Sequence, residues 1–135
     1  MEPKAASRKH TLESLSIALL ALITLALMAR LFLMVDEHAV NLPYYDQLDF
    51  YEIFKTNASP WDIFRYQHGP HRQGLPFLGT QLLASATDWN IRADAFYVLG
   101  YVFAATGIAL LLRRRLQGSF SFFDVTIPLL LLTPA

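Results

Sequence analysis

The chain has 135 residues, no formal net charge at neutral pH, 54% hydrophobic residues and a mean hydropathy of +0.33. That is too apolar for an ordinary soluble domain of this length, and the excess sits in blocks, so composition points to a membrane protein. The absence of cysteine excludes a disulfide framework, a thiolate metal site and a cysteine nucleophile. The basic residues are split between separated sites, which gives no electrostatic reason to expect nucleic acid as a partner.

Residues 1–14 form a polar, basic start with Lys4, Arg8 and Lys9. Residues 15–35 are then almost wholly apolar, and at 1.5 Å per residue they cover about 31 Å, enough to cross a bilayer. A signal peptide shares the basic start. This run is longer than a usual signal core and no small-x-small cleavage site follows, so a retained first span is expected. Arg30, five residues from the end of the run, can snorkel to the interface or reach an anionic head group.

Residues 36–94 form a polar and aromatic loop. Within it, Asp46 to Phe54 places Leu48, Phe50, Tyr51, Ile53 and Phe54 on one broad helical face. Ser59-Pro60-Trp61-Asp62 reads as a helix start, with a serine cap, proline in the first position and an acid in the first turn. That helix is expected to run to about Gln67 and to stop at Gly69-Pro70. Leu75, Leu78, Leu82 and Ala86 then share a face of a third short helix. Three aromatic-rich amphipathic helices beside a span are expected to lie in the membrane interface.

A second span is expected at 95–112, with Gly100 and Gly107 suited to close helix packing. Arg113-Arg114-Arg115 opens a turn over 113–119, and a third apolar run occupies 120–135. Because that run breaks off at Ala135, the chain is expected to be a fragment. The predicted fold class is all-α: an integral membrane chain with two complete spans, a truncated third, and amphipathic juxtamembrane helices. Basic residues crowd the N-terminal tail and the 113–119 turn, whereas the 36–94 loop holds eight acids against four basic residues. The distribution predicts a cytoplasmic N-terminus and an extracytoplasmic loop in a cytoplasmic (inner) membrane.

Two groups in the loop carry candidate chemistry. Asp46, Asp49 and Glu52 recur every three residues, so Asp46 and Asp49 share a helical face where two carboxylates could hold a divalent cation, or one could serve as a general base. The same spacing suits the solvated face of an interfacial helix, and Asp46 also suits an N-cap. The second group is His68, His71 and Arg72. Arginine recognises phosphate bidentately and histidine can donate to it, while a polar turn at the interface demands similar residues. Zinc on the two histidines lacks an obvious third ligand. Asn57-Ala58-Ser59 is a short match to a glycosylation acceptor, with Pro60 directly after it.

With Tyr45-Asp46-Gln47 after the first span and Gln67-His68-Gly69-Pro70-His71-Arg72 later in the loop, the chain resembles the N-terminal part of the GT-C class of integral-membrane glycosyltransferases, the superfamily of protein O-mannosyltransferases and aminoarabinose transferases. The resemblance covers nearly all of this chain and a minor part of a family member. It implies sugar transfer from a polyprenyl-phosphate-linked donor to an acceptor outside the cytoplasm. Asp46 would be the catalytic base, or would help position a divalent cation with Asp49. His68, His71, Arg72 and Tyr45 would bind substrate, the basic groups at the donor phosphate. Gln47 departs from the pattern, since several families carry a second acid there. The implied partners are the lipid-linked donor, membrane lipids and the remaining transmembrane helices of a longer chain. The alternatives are a non-enzymatic membrane scaffold and, further off, a transporter or polymer-export subunit. The latter would need a charge deep in a span, and only Arg30 and Asp124 come near.

Overall fold

A computed structural model describes residues Pro3 to Pro134 apart from Asn57, and their side chains apart from those of residues 3–10, Asp46 and Tyr51. The glycosylation match at Asn57 therefore lies outside the described residues. The order is α1 (Pro3–His38), α2 (Asp46–Lys55), α3 (Pro60–Arg65), β1 (Gln67–His68), β2 (His71–Arg72), α4 (Gly74–Ala86) and α5 (Ile91–Gln117), then a 3₁₀ turn (Phe122–Val125) and α6 (Thr126–Leu132). The chain divides into two compact units, one of Met1–Glu37 with Leu99–Ala135, the other of His38–Val98.

The first unit carries most of both long helices. The apolar stretches at Thr11–His38 and Ile91–Gln117 are 28 and 27 residues long, so each reaches about 40 Å against a hydrocarbon core of about 30 Å. Both helices run past the expected limits of 15–35 and 95–112, because no proline or glycine interrupts the polar residues flanking each apolar run. Length alone would also fit the core helix of a soluble protein. Here only 6% of the first apolar window and 11% of the second is buried by the chain. Their hydrophobic surface is turned outward, as at Leu15, Leu22 and Leu25. Gly100 and Gly107, expected at a close helix contact, have nothing within 4 Å of an added Cβ.

Polar locks hold the turn after α5. Asp124, 5% exposed, accepts hydrogen bonds from the Ser121 N–H (2.7 Å) and the Arg113 Nε–H (2.7 Å). Arg113 also donates to the Ser119 carbonyl at 3.3 Å. The acid that interrupts the third apolar run is thus neutralised by the first arginine of the triplet. One basic charge of the cluster is spent inside the fold.

The second unit is built around aromatic rings. Phe77 of α4, 3% exposed, meets Phe50 and Phe54 of α2 at centroid distances of 4.8 and 4.6 Å and stacks on Tyr66 at 5.3 Å. Phe54 continues the cluster to Trp89 at 5.2 Å. Ile63 of α3 is fully buried where α3 packs on α4. The leucine stripe of α4 is turned away from this core. Leu75 and Leu82 are 70% and 72% exposed, because the larger aromatic ring on the adjacent face takes the interior. Gly79 lies directly against the phenol of Tyr97, a contact that leaves no room for a Cβ.

The two ends of this unit are clasped. The Asn41 side chain accepts from the Ile91 N–H at 2.8 Å and so caps α5, and Arg92 donates to the Ala39 carbonyl at 2.9 Å. Residues fifty apart thereby close the loop on itself.

Candidate active site

At the entry to α2 the backbone turns sharply. Tyr45 occupies the N-cap position with φ 49° and ψ −114°, a region non-glycine residues avoid. Strain of this kind costs on the order of 1–3 kcal/mol and clusters at functional sites. Gln47 turns its side-chain oxygen back to accept from the Tyr44 N–H at 2.9 Å, and the Gln47 N–H donates to the Tyr44 carbonyl at 3.1 Å. The residue that departs from the family pattern thus fastens the turn. Asp46 is the first helical residue rather than the N-cap, a position the strained Tyr45 holds instead. The Asp46 side chain lies outside the described residues. Tyr45 is 77% exposed, with its ring 6.3 Å from that of Tyr44.

The expected helix end at Gly69-Pro70 is a β-hairpin. α3 stops at Arg65, and the chain reverses through Gly69 with φ +55° while the ring of Pro70 fixes its own φ near −65°. A positive φ at the first central residue, supplied without cost by glycine, suits a two-residue hairpin turn. The Gln73 N–H donating to the Tyr66 carbonyl at 3.2 Å extends the ladder. The signal was present as a glycine-containing pair between two short polar runs. Runs of two residues are too short for alternation to show.

The register divides the His-Arg cluster. His68 pairs with His71, and Gln67 with Arg72. Directly opposed residues share a face and neighbours alternate, so the two histidines are brought together while Arg72 joins Gln67 on the other face. The histidine face is turned toward α2, since His68 meets Phe50 edge to face at 5.3 Å. His71 and Arg72 are exposed.

Phe50 is one helical turn beyond Asp46, so α2 and the hairpin bring the two candidate groups onto packed elements. Asp49 and Glu52 are exposed along α2. Among the described residues, no three histidine or carboxylate side chains converge to hold a metal ion. The expected Asp46–Asp49 pair includes a side chain that lies outside the described residues.

Sequence reasoning missed Phe77, Ile63, Asn41 and the Thr80–Asp94 pair, in which the Thr80 hydroxyl donates to the Asp94 carboxylate at 3.1 Å. Each acts through a partner distant in the chain, which local periodicity does not report.

These elements define a mostly helical protein with two helices long and apolar enough to cross a membrane. Comparison with protein-family models, curated proteins and solved structures gives no match.

Proposed function

We propose that the chain is an integral membrane protein whose His38–Val98 unit carries the acceptor-activating part of a membrane glycosyltransferase. The reading rests on the likeness of Tyr45-Asp46-Gln47 and His68-Gly69-Pro70-His71-Arg72 to the GT-C class. One observation carries it further: His68 packs on Phe50, one turn along the helix that Asp46 begins. Residues separated by more than twenty positions thus belong to neighbouring elements, as a shared site requires.

In this reading the Asp46 carboxylate takes the proton of an acceptor hydroxyl. The hydroxyl oxygen forms a bond to the anomeric carbon of the sugar as the bond from that carbon to phosphate oxygen breaks. Polyprenyl phosphate leaves with the bonding pair, and hydrogen-bond donors on the hairpin stabilise its charge. The register favours His71 over Arg72 as the nearer donor, because His71 shares the face turned to α2. In this reading the loop lies outside the cytoplasm, with the dense basic clusters of the N-terminal tail and the 113–119 turn on the inner side.

The test is transfer of labelled sugar from a polyprenyl-phosphate donor in membranes bearing the protein. Asp46→Asn is expected to lower the rate by about 10²–10⁴-fold, the usual contribution of a general base. His71→Ala should cost more than Arg72→Ala. Transfer unchanged by Asp46→Asn would sink the reading. A non-enzymatic scaffold is the second reading, favoured by the outward Tyr44, Tyr45 and Trp61, which are 80%, 77% and 61% exposed. It expects Asp46→Asn to be silent, and Tyr44→Ala with Tyr45→Ala to release a partner protein.

A further inference from the structure

Within the His38–Val98 unit, a pocket of about 230 Å³ lies between the end of α2 and the end of α4, and the proposed reaction does not use it. It is lined by Phe54 and Lys55 of α2, Ala84 and Ser85 of α4, and Asp88 and Trp89 of the turn that follows. That volume lies below the 300–1,000 Å³ common for drug-sized ligands, so a ligand of a single ring is the right scale. Lys55 is nine residues beyond Asp46 on α2, about 13 Å along the helix, so the pocket is separate from the proposed base.

The turn holds two residues in an uncommon conformation. Asp88 and Trp89 have φ of 51° and 61°, and the Trp89 N–H donates to the Ala84 carbonyl at 2.8 Å. Aspartate enters the left-handed region more readily than most residues, but for a bulky residue such as tryptophan it is an outlier. Strained positions of that kind cluster at ligand clamps. Here the turn sets the half-buried indole beside Phe54, with 5.2 Å between ring centroids, and leaves Asp88 exposed at the rim. Lys55 and Ser85 are exposed as well. The Ser85 hydroxyl donates to the Gln81 carbonyl at 2.9 Å, so its oxygen is left as an acceptor. The pocket thus combines an apolar wall of two rings with one cationic donor, one anionic acceptor and one neutral acceptor.

An anion would meet Asp88, a cation would meet Lys55, and an apolar ligand would strip water from both charges without replacing it. A small zwitterion satisfies both charges but offers the rings no apolar face. A pyranose offers both: a C–H face for the rings, and hydroxyls that donate to Asp88 and Ser85 and accept from Lys55.

We infer that this pocket is a binding site for a neutral monosaccharide unit. The inference rests on the pocket itself and not on sugar transfer at Asp46.

The experiment follows Trp89 fluorescence in the full chain held in phosphatidylcholine nanodiscs, which carry no glycoside detergent. The chain has two tryptophans, so Trp61→Phe, at a position 61% exposed, leaves Trp89 as the reporter. The probes are methyl glucoside, methyl mannoside and N-acetylglucosamine, with glycine betaine and cyclohexanol as zwitterionic and apolar comparisons. At least one of the three sugars is expected to give a saturating change, and neither comparison compound should. Asp88→Asn keeps a residue suited to the left-handed turn and removes the charge, so it should weaken sugar binding about tenfold. Ser85→Ala should weaken it about threefold. Failure of all three sugars to saturate would overturn the proposal. So would equal saturation by glycine betaine or cyclohexanol, or sugar binding untouched by Asp88→Asn. Sugar binding retained in Asp46→Asn while transfer is lost would keep the two sites apart. Binding lost together with transfer would merge the pocket with the catalytic site and overturn it as a separate one. Transfer unaffected by Asp46→Asn would sink the earlier reading and leave this one standing.

Discussion

The His38–Val98 unit and the unit formed by residues 1–37 and 99–135 are held by different forces. In the first, rings of α2, α4 and the segment between them enclose Phe77, and Ile63 is fully buried. In the second, long helices leave leucines such as Leu22 and Leu25 about two-thirds exposed, and its locks are polar: a buried carboxylate, an arginine and a serine N–H. A unit that buries its own aromatic residues can hold a shape through its own packing. A helix that exposes its leucines along its length depends on its surroundings to cover them. That contrast means that mutation can separate the two contributions.

The largest effect is expected at the aromatic hub. Phe77→Ala removes a ring that touches three others and should destabilise the His38–Val98 unit by about 3–5 kcal/mol. Thermal unfolding followed by near-ultraviolet circular dichroism would show it, and amide exchange would localise the loss to that unit. Leu22→Ala, at a position 66% exposed, is the control and should cost little in detergent. Equal losses from the two substitutions would erase the distinction between the units.

Next comes the polar lock of the other unit. Asp124→Ala strands the Arg113 guanidinium, whose side chain is only 19% exposed, and frees the Ser121 N–H. Breaking such a pair from one side costs about 3–5 kcal/mol, and the residual exposure of Arg113 places this case near about 3. Arg113→Met with Asp124→Leu should recover much of the loss, since an apolar pair needs no desolvation. A double variant no better than Asp124→Ala alone would show that the pair orders the turn by geometry rather than by charge.

A smaller loss is expected at the clasp. Asn41→Ala removes the side-chain cap of α5 and should cost about 1 kcal/mol. Asn41→Asp keeps the acceptor and should cost less, with its negative charge favoured at a helix N-terminus. The readout is amide exchange at Ile91 and the residues beside it, where protection should fall in Asn41→Ala and persist in Asn41→Asp.

The sequence was legible where the interactions are local. Ser59-Pro60-Trp61-Asp62 forms the expected capped helix start, with the Ser59 hydroxyl accepting from the Asp62 N–H at 3.2 Å and the Asp62 carboxylate accepting in return from the Ser59 N–H at 3.3 Å. Both long helices follow from the length of their apolar runs, and the helices at 46–55 and 74–86 from periodicity. What escaped the reading is non-local. Periodicity picked out the leucine stripe of α4 but not Phe77, the ring on the adjacent face that α2 surrounds. The candidate cluster His68, His71 and Arg72 looked like one group in sequence, and a hairpin register of period two splits it. The cap on α5 depends on Asn41, fifty residues earlier, which no local pattern can indicate.

The finest test of the contrast lies at Tyr45, where the self-packed unit holds a backbone conformation that its own residue disfavours. Tyr45→Gly permits the positive φ without a Cβ clash, while adding freedom to the unfolded chain. The first effect is worth about 1–3 kcal/mol and the second about 0.5–1 kcal/mol against it, so a net gain on the order of 1 kcal/mol is expected. Tyr45→Ala removes the same exposed ring and keeps the strain, so it should melt at or below the parent. Sugar transfer should fall in both if the ring binds substrate, and in Tyr45→Gly alone if the site needs the rigid turn that starts α2 at Asp46. Indistinguishable melting of the glycine and alanine variants would mean that the turn stores no strain. The exposed ring would then be the only feature of Tyr45 left to bear on function.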